Sequence, residues 1–393
     1  MYSNNLNGSI PASLTNLTSL SSLYLWDNNL SGIIPTDIGR LHSLKILTLS
    51  ENYFTGQIPT SICHLANLSV LSAGQNQLSG AIPHDIGNLR SLDTLPLLMN
   101  KLTCSIPASV GNLRNLTYLS LTGNQLTGLL PIGINNLTQL RVIYLSDNKF
   151  SGYVPQDVCR GGTLEEFVAS GNHFMGRIPR SLRNCISLRS LDLSMNELVG
   201  NLTEAFQVYP FLDKFRVQNN MLYGELSKEW GNCPSLTALS FSGNNITDLS
   251  NNQLSVRLSS EVGKFSSLQY IDLSTNKLTG SIPKQLGECS KLLSLNLGRN
   301  NFNESIPPQI GNLDSLQILL DLSYNEFTGE IPSALGKLRK LETLNLSHNK
   351  LVGSIPSSFD QMLSLTSVNI SDNELSGSLP NIKAFKDAQR VVR

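Results

Sequence analysis

The chain has 393 residues, only 15% of them charged, and its 29 basic and 29 acidic side chains cancel. That balance leaves no basic stripe for a phosphate backbone and no polybasic segment for an acidic leaflet, so no nucleic acid partner is expected. No apolar run of ~18 residues is present, so no membrane insertion by this chain is expected either.

A length of this order exceeds one globular core, but a chain that grows by stacking repeats can remain one structural domain. Repetition is evident from the start. Asn4, Asn28, Asn52, Asn76, Asn100, Asn124, Asn148, Asn172, Asn196, Asn220 and Asn244 follow one another at intervals of 24 residues, which is the signature of a solenoid. The surrounding string reads Leu20-x-x-Leu23-x-Leu25-x-x-Asn28-x-Leu30-x-Gly32-x-Ile34-Pro35, and it returns from Leu116 to Pro131 through Asn124. Within one repeat, alternation at a period of two turns Leu23 and Leu25 inward and Tyr24 and Trp26 outward on a short strand. The amide of Asn28 offers donors and an acceptor for backbone groups of its own turn and of the next, so stacked asparagines form a ladder. Gly32 permits a tight turn at positive φ, Ile34-Pro35 starts a second extended segment, and the rest returns the chain along the outer side.

The expected fold is an α/β-type repeat solenoid, a right-handed curved superhelix with a concave parallel β-sheet of one short strand per turn and little α-helix. It is expected to cover residues 1–380, with 381–393 as a non-repeat tail. The register breaks where Asn244 is followed by Asn252 before the spacing resumes at Asn276 and Asn300. Eight residues cannot complete a turn, so 245–252 is expected to loop out of a 32-residue composite turn between Asn244 and Asn276. One extra residue in Leu316-Gln317-Ile318-Leu319-Leu320-Asp321 lengthens the interval from Asn300 to Asn325 to 25, a slip that a bulge absorbs. Leu6, Ile10, Leu14 and Leu17 are expected to lie at an exposed first edge.

The cysteines number six, but Cys185, Cys233 and Cys289 stand where other repeats carry leucine and read as buried thiols acting as small apolar side chains. The repeat register argues against a disulfide reading, and only Cys159 and Cys185, in adjacent turns, could approach closely enough for one. His42, His64, His84, His173 and His348 share no ligand spacing, so no metal and no cofactor are expected. Glycosylation sequons occur at Asn7, Asn16, Asn29, Asn67, Asn115, Asn136, Asn201, Asn245, Asn303, Asn345 and Asn369, in numbers that favour a secretory history even in a sequence rich in Asn, Ser and Thr.

Recognition in a solenoid is written in the outward strand positions. Read in order, these give Tyr24 and Trp26, Tyr118, Tyr144, Glu166, Asp192, Lys214 and Arg216, then Tyr270 and Asp272. The same columns later become Ser294, Asn296, Thr343 and Asn345. Phe215 occupies a core leucine position, so Lys214 and Arg216 project from one strand and could hold a carboxylate.

The repeat string resembles the plant 24-residue class of leucine-rich repeats, with its Leu-x-Gly-x-Ile-Pro signature, over nearly all of residues 4 to 380. Phe206-Gln207-Val208-Tyr209-Pro210, Asp321-Leu322-Ser323-Tyr324-Asn325, Leu344-Asn345-Leu346-Ser347-His348-Asn349 and Pro380-Asn381-Ile382-Lys383-Ala384-Phe385 further resemble the ectodomains of plant receptor-like kinases in the male-discoverer-interacting receptor kinase group. That resemblance implies a sensor on the extracellular side of the plasma membrane that binds a secreted peptide or protein ligand and pairs with a co-receptor kinase. This chain is not expected to be an enzyme, since it carries neither the kinase glycine loop nor the His-Arg-Asp catalytic loop. Family ectodomains open with a signal peptide and a cysteine-paired cap, whereas this chain opens inside a repeat, so a truncated fragment is expected. Several peptide-sensing members hold the free C-terminus of their ligand with an Arg-x-Arg pair. Arg216 matches the second arginine, but Lys214 replaces the first and lacks its forked geometry. Two alternatives share the repeat: a secreted leucine-rich-repeat inhibitor of cell-wall-degrading enzymes, and a degenerate receptor-gene product without activity.

Overall fold

A computed structural model describes residues 2–224, 232–245, 258–380 and 384–385. The chain forms two compact units, 1–198 and 199–393. In the first, parallel strands Ser22–Tyr24, Ile46–Thr48, Val70–Ser72, Thr94–Pro96, Tyr118–Ser120, Val142–Tyr144, Glu166–Val168 and Ser190–Asp192 stack in one ladder. Leu23 pairs with Leu47, and Leu47 with Leu71, so the inward leucines lie one above another. A second row runs through Asn29–Ile33 and Tyr53–Gln57 and, further on, Lys149–Tyr153 and His173–Arg177. The third side is made of short 3-10 helices such as Thr60–His64 and Ala108–Asn112. Helical structure is confined to such single turns, because proline at their start and a new strand a few residues later leave no room for more.

The expected second segment is displaced. It does not start at Ile34-Pro35 but ends before it, at Ile33, and runs through Gly32, which adopts φ +77. Pro35 lacks the N–H that would continue the pairing. Ile10, expected at an exposed edge, is 6% exposed, because it begins the inward column continued by Ile34 and Ile58; Leu6 and Leu17 do lie exposed.

The asparagine ladder also differs in direction from the expectation. Asn52 accepts from the Leu30 amide (2.9 Å) and donates to the Leu25 carbonyl (2.8 Å), both in the preceding turn, while its other bonds reach Leu49 and Ser50 of its own turn. Each side chain thus closes the turn behind it. Close packing on the helical side has its own sequence requirement: a Cβ on Gly87 would lie 2.1 Å from the Ser109 carbonyl oxygen of the next turn.

In the second unit, strands Lys214–Arg216, Ala238–Ser240, Tyr270–Asp272, Ser294–Asn296, Leu319–Asp321, Thr343–Asn345 and Ser367–Asn369 form a parallel ladder. Ala238 pairs with Tyr270, 32 positions on, and the Asn276 side-chain amide reaches the Phe241 carbonyl across 35 positions where that of Asn244 spans 27 to Val217. Beyond Asn245 the expected loop lies outside the described residues, as does most of the 381–393 tail. The extra residue near Leu319 is taken up at the strand entrance: the Ile318 amide still bonds the Leu293 carbonyl as in other turns, but Ser294 pairs with Leu319, 25 positions on, instead of with Ile318. Leu202–Ala205 is an α-helical turn whose start is capped by the Asn201 side chain through the Thr203 amide. Phe206 fills the space beside it, packing edge-on against Phe215 with ring centroids 4.6 Å apart.

The cysteine reading needs one correction. Cys185 is not a free thiol: it forms a disulfide with Cys159, their Cα atoms 5.6 Å apart. The pair was within reach because the two residues occupy adjacent turns two register positions apart. Cys63, Cys233 and Cys289 are buried free thiols, whereas Cys104 is exposed. Burial, aided by the charges of Asp85 and Glu288 respectively, pushes the Cys63 and Cys289 thiols up to about 11, and burial raises that of Cys233.

Candidate ligand-binding faces

In the first unit the outward side chains of three consecutive strands converge. Tyr118 and Tyr144 meet edge-to-face with centroids 5.9 Å apart, and the Tyr144 hydroxyl donates to the Glu166 carboxylate on the next strand. Burial, then the hydrogen bond and negative charge of Glu166, hold the Tyr144 phenol well above its usual range. Tyr144 is therefore a protonated donor, and its ring with that of Tyr118 forms an aromatic strip ending on an anion. Asp192 lies further along, its Oδ1 turned back onto the amide and hydroxyl of Ser194. Near the first edge, Trp26 stacks on Tyr2 at 5.0 Å and 7°, and Tyr24 stands against Tyr2 at 73°.

The second unit presents a shallow groove of about 300 Å³ lined by Arg216, Ser240, Tyr270, Asp272, Ser294 and Asn296, among others. Arg216 makes no ion pair among the described residues. Lys214, its expected partner in a clamp, instead faces Asp213 at 4.0 Å. Asp272 is oriented by Ser274, whose amide and hydroxyl both donate to its Oδ1. The groove thus offers one unpaired cation and one fixed carboxylate.

The sequence reading missed a stack in the same unit. Arg299 lies over the Tyr324 ring at 4.1 Å, Tyr324 stacks on His348 at 3.9 Å, and His348 Nδ1 lies 3.3 Å from Asp372. All four residues directly precede a ladder asparagine at positive φ. That position could have been read from the repeat as an outward column. A charged row on the first unit was missed as well: Arg141 forks onto Glu165 at 2.6 and 2.9 Å, with Arg189 at 3.7 Å on the other side.

Of the sequon asparagines, Asn7, Asn16, Asn29, Asn67, Asn115, Asn136, Asn245, Asn303 and Asn369 are exposed, while Asn201 and Asn345 are half-buried. Asn201 caps the helical turn, and Asn345 is tied to Asp321 and Ser347. Among the described residues no three His, Cys, Asp or Glu side chains gather as metal ligands, and no helix is long and apolar enough to cross a membrane.

Parallel strands in register, an asparagine ladder and a broad strand face define a leucine-rich-repeat solenoid. Leucine rich repeat models match residues 18–78, 114–174 and 314–375, with further repeats at 187–208, 267–289, 291–313 and 232–254. A comparison with curated proteins finds no match. Among solved structures, a TDR receptor is 32% identical with a TM-score of 0.83, the match covering 98% of this chain and 69% of that one. The Arabidopsis receptor kinase HAESA, solved in complex with the peptide hormone IDA and the co-receptor SERK1, is 33% identical with a TM-score of 0.82, covering 96% of this chain and 66% of that one. The leucine-rich-repeat ectodomain of the plant membrane receptor kinase GASSHO1/SCHENGEN3 from Arabidopsis thaliana, in complex with CASPARIAN STRIP INTEGRITY FACTOR 2, is 32% identical with a TM-score of 0.78, covering 96% of this chain and 50% of that one. The chain therefore spans between 50% and 69% of the length of these chains. It belongs to the leucine-rich-repeat family and resembles the ectodomains of plant peptide-hormone receptor kinases.

Proposed function

We propose that the chain is the peptide-sensing part of a plant receptor-like kinase of the male-discoverer-interacting group, acting on the extracellular side of the plasma membrane with a co-receptor kinase as partner. Each unit offers a strand face to a ligand: the first the Tyr118–Tyr144–Glu166 strip, the second the Arg216 groove. The observation that carries this reading is Arg216, an unpaired cation lining an open groove of about 300 Å³. A guanidinium held there meets a peptide carboxylate with a charge-assisted bond. Lys214, drawn towards Asp213, plays a lesser part than the pair of cations in the sequence suggests. Exposed sequons such as Asn303 and Asn369 carry glycans in the secreted receptor.

Calorimetry with one acidic peptide, prepared with a free and with an amidated C-terminus and titrated against wild type and Arg216→Ala, tests the reading. Both amidation and the substitution are expected to cost about 1.5–3 kcal/mol, and together little more than either alone. Equal affinity in all four combinations would remove the carboxylate role of Arg216.

A further inference from the structure

Near its first edge, the first unit carries a groove separate from the strip around Tyr144. Its shape follows from four successive outward pairs: Tyr24 and Trp26, Thr48 and Ser50, Ser72 and Gly74, Pro96 and Leu98. Large side chains stand at both ends and small ones between, which leaves a trough of about 340 Å³ bounded by Trp26 and Leu98. The end walls are three strand spacings apart, roughly 14 Å between their backbones. Gly74 keeps the floor open, since a Cβ there would lie 2.6 Å from Leu98 Cδ2. Tyr2 occupies the position one turn before Trp26 and stacks flat against the indole, bracing it while the trough lies on the following turns.

The polar groups are as particular as the walls. Glu51 and Gln75 line the rim on successive turns, roughly 4.8 Å apart along the ladder. Neither side chain is engaged in a hydrogen bond or ion pair with described residues. Thr48 Oγ1 is buried without a hydrogen-bond partner, while the hydroxyls of Ser50 and Ser72 bond each other at 2.5 Å. An aromatic wall, an apolar end and free acceptors along one edge together suit a ring that is apolar on its faces and rich in hydroxyl donors around its rim.

We propose that this trough binds a neutral oligosaccharide of equatorially substituted pyranose rings, one ring face lying against Trp26 and its hydroxyl edge donating to Glu51 and Gln75. Pyranoses with equatorial hydroxyls present flat C–H faces to an indole, which axial substituents would hold away. The Glu51 carboxylate opposes acidic sugars by like-charge repulsion. A proline-rich peptide would also pack on Trp26, but its backbone lacks the N–H donors that Glu51 and Gln75 are placed to receive.

The test titrates the full chain with cellotetraose, trigalacturonate and an acetylated tetraproline peptide, followed by calorimetry and by indole fluorescence. Cellotetraose is expected to bind and the other two to bind at least tenfold more weakly. Trp26→Ala is expected to weaken cellotetraose about tenfold, the worth of one aromatic contact. Gln75→Ala, at an exposed rim position that does not support the fold, is expected to weaken it several-fold. Failure of cellotetraose to bind up to its solubility limit, or tighter binding of trigalacturonate or tetraproline, would overturn the proposal. So would binding unaffected by Gln75→Ala and by Trp26→Ala that retains the wild-type circular dichroism spectrum. The outcome is independent of the Arg216 titration, since the two sites share no residue.

Discussion

Replacing Asn148 by alanine isolates what one rung of the asparagine ladder contributes. Its side chain accepts from the Leu126 amide at 3.0 Å and donates to the carbonyls of Leu121, Leu145 and Ser146 at 2.9, 3.2 and 3.1 Å. The three carbonyls keep other donors after the substitution: Asn124 at Leu121, Asn172 at Leu145 and the Gly123 amide at Ser146. The Leu126 amide keeps none. One buried donor left unmet costs about 1–3 kcal/mol, and the weakened carbonyls add to it, so Asn148→Ala should cost about 2–4 kcal/mol in urea unfolding. Hydrogen exchange should place the loss at the Leu126 amide. Asn148→Asp separates the acceptor role from the donor role. It retains an acceptor for Leu126 but sets a carboxylate against three carbonyl oxygens in a site only 8% exposed, so it should be worse than alanine at neutral pH. A cost below about 0.5 kcal/mol for the alanine variant, or an aspartate milder than alanine, would refute the hydrogen-bond account of the ladder.

Cys104 and Glu304 stand in the column otherwise held by positive-φ glycines, at φ 66 and 64, and replacing either by glycine should stabilise by about 1 kcal/mol in a urea melt. Gly87→Ala should destabilise by about 2–3 kcal/mol, because the added methyl meets the backbone of the next turn; an unchanged melting temperature would contradict that packing. Thiol labelling with a maleimide at neutral pH should modify Cys104 quickly, spare buried Cys63, Cys233 and Cys289, and reach Cys159 and Cys185 only after reduction; labelling of Cys185 without reductant would deny the disulfide. Because the folded-state values for Cys63 and Cys289 are raised to about 11 from 9.0, their contribution to stability is complete below pH 9.0 and lost as pH rises towards about 11. A Cys63→Ala, Cys289→Ala double variant should show a smaller fall in stability over that interval.

Period and alternation made the repeat, its strands and the inward leucines legible, because burial repeats with the same spacing as sequence. The bonds between turns were less so. The Asn52 side chain could reach either neighbour, and only the coil geometry selects the preceding turn. The Cys159–Cys185 bond depended on a two-position offset across adjacent turns, which leucine substitution at Cys185 disguised. At the candidate sites, outward positions such as Tyr118, Tyr144 and Arg216 followed from alternation, but their partners did not. That Tyr144 finds Glu166, and that Lys214 turns to Asp213 instead of joining Arg216, depends on rotamers and on neighbours 22 and one residue away. The Arg299–Tyr324–His348–Asp372 stack was hidden by attention to the strand columns alone, since its members sit one position before the asparagine.

Because each asparagine closes the turn before it, the ladder has a direction. At Asn52, Asn148 and Asn300 the cross-turn contacts point backwards along the chain, so a freshly formed turn has its inner groups met only when its successor arrives. Such a coil grows like a zipper closed by its leading tooth. A polypeptide made from its N-terminus onward can therefore consolidate all but the newest turn at every moment, since the inner groups of each turn wait only for the turn that follows.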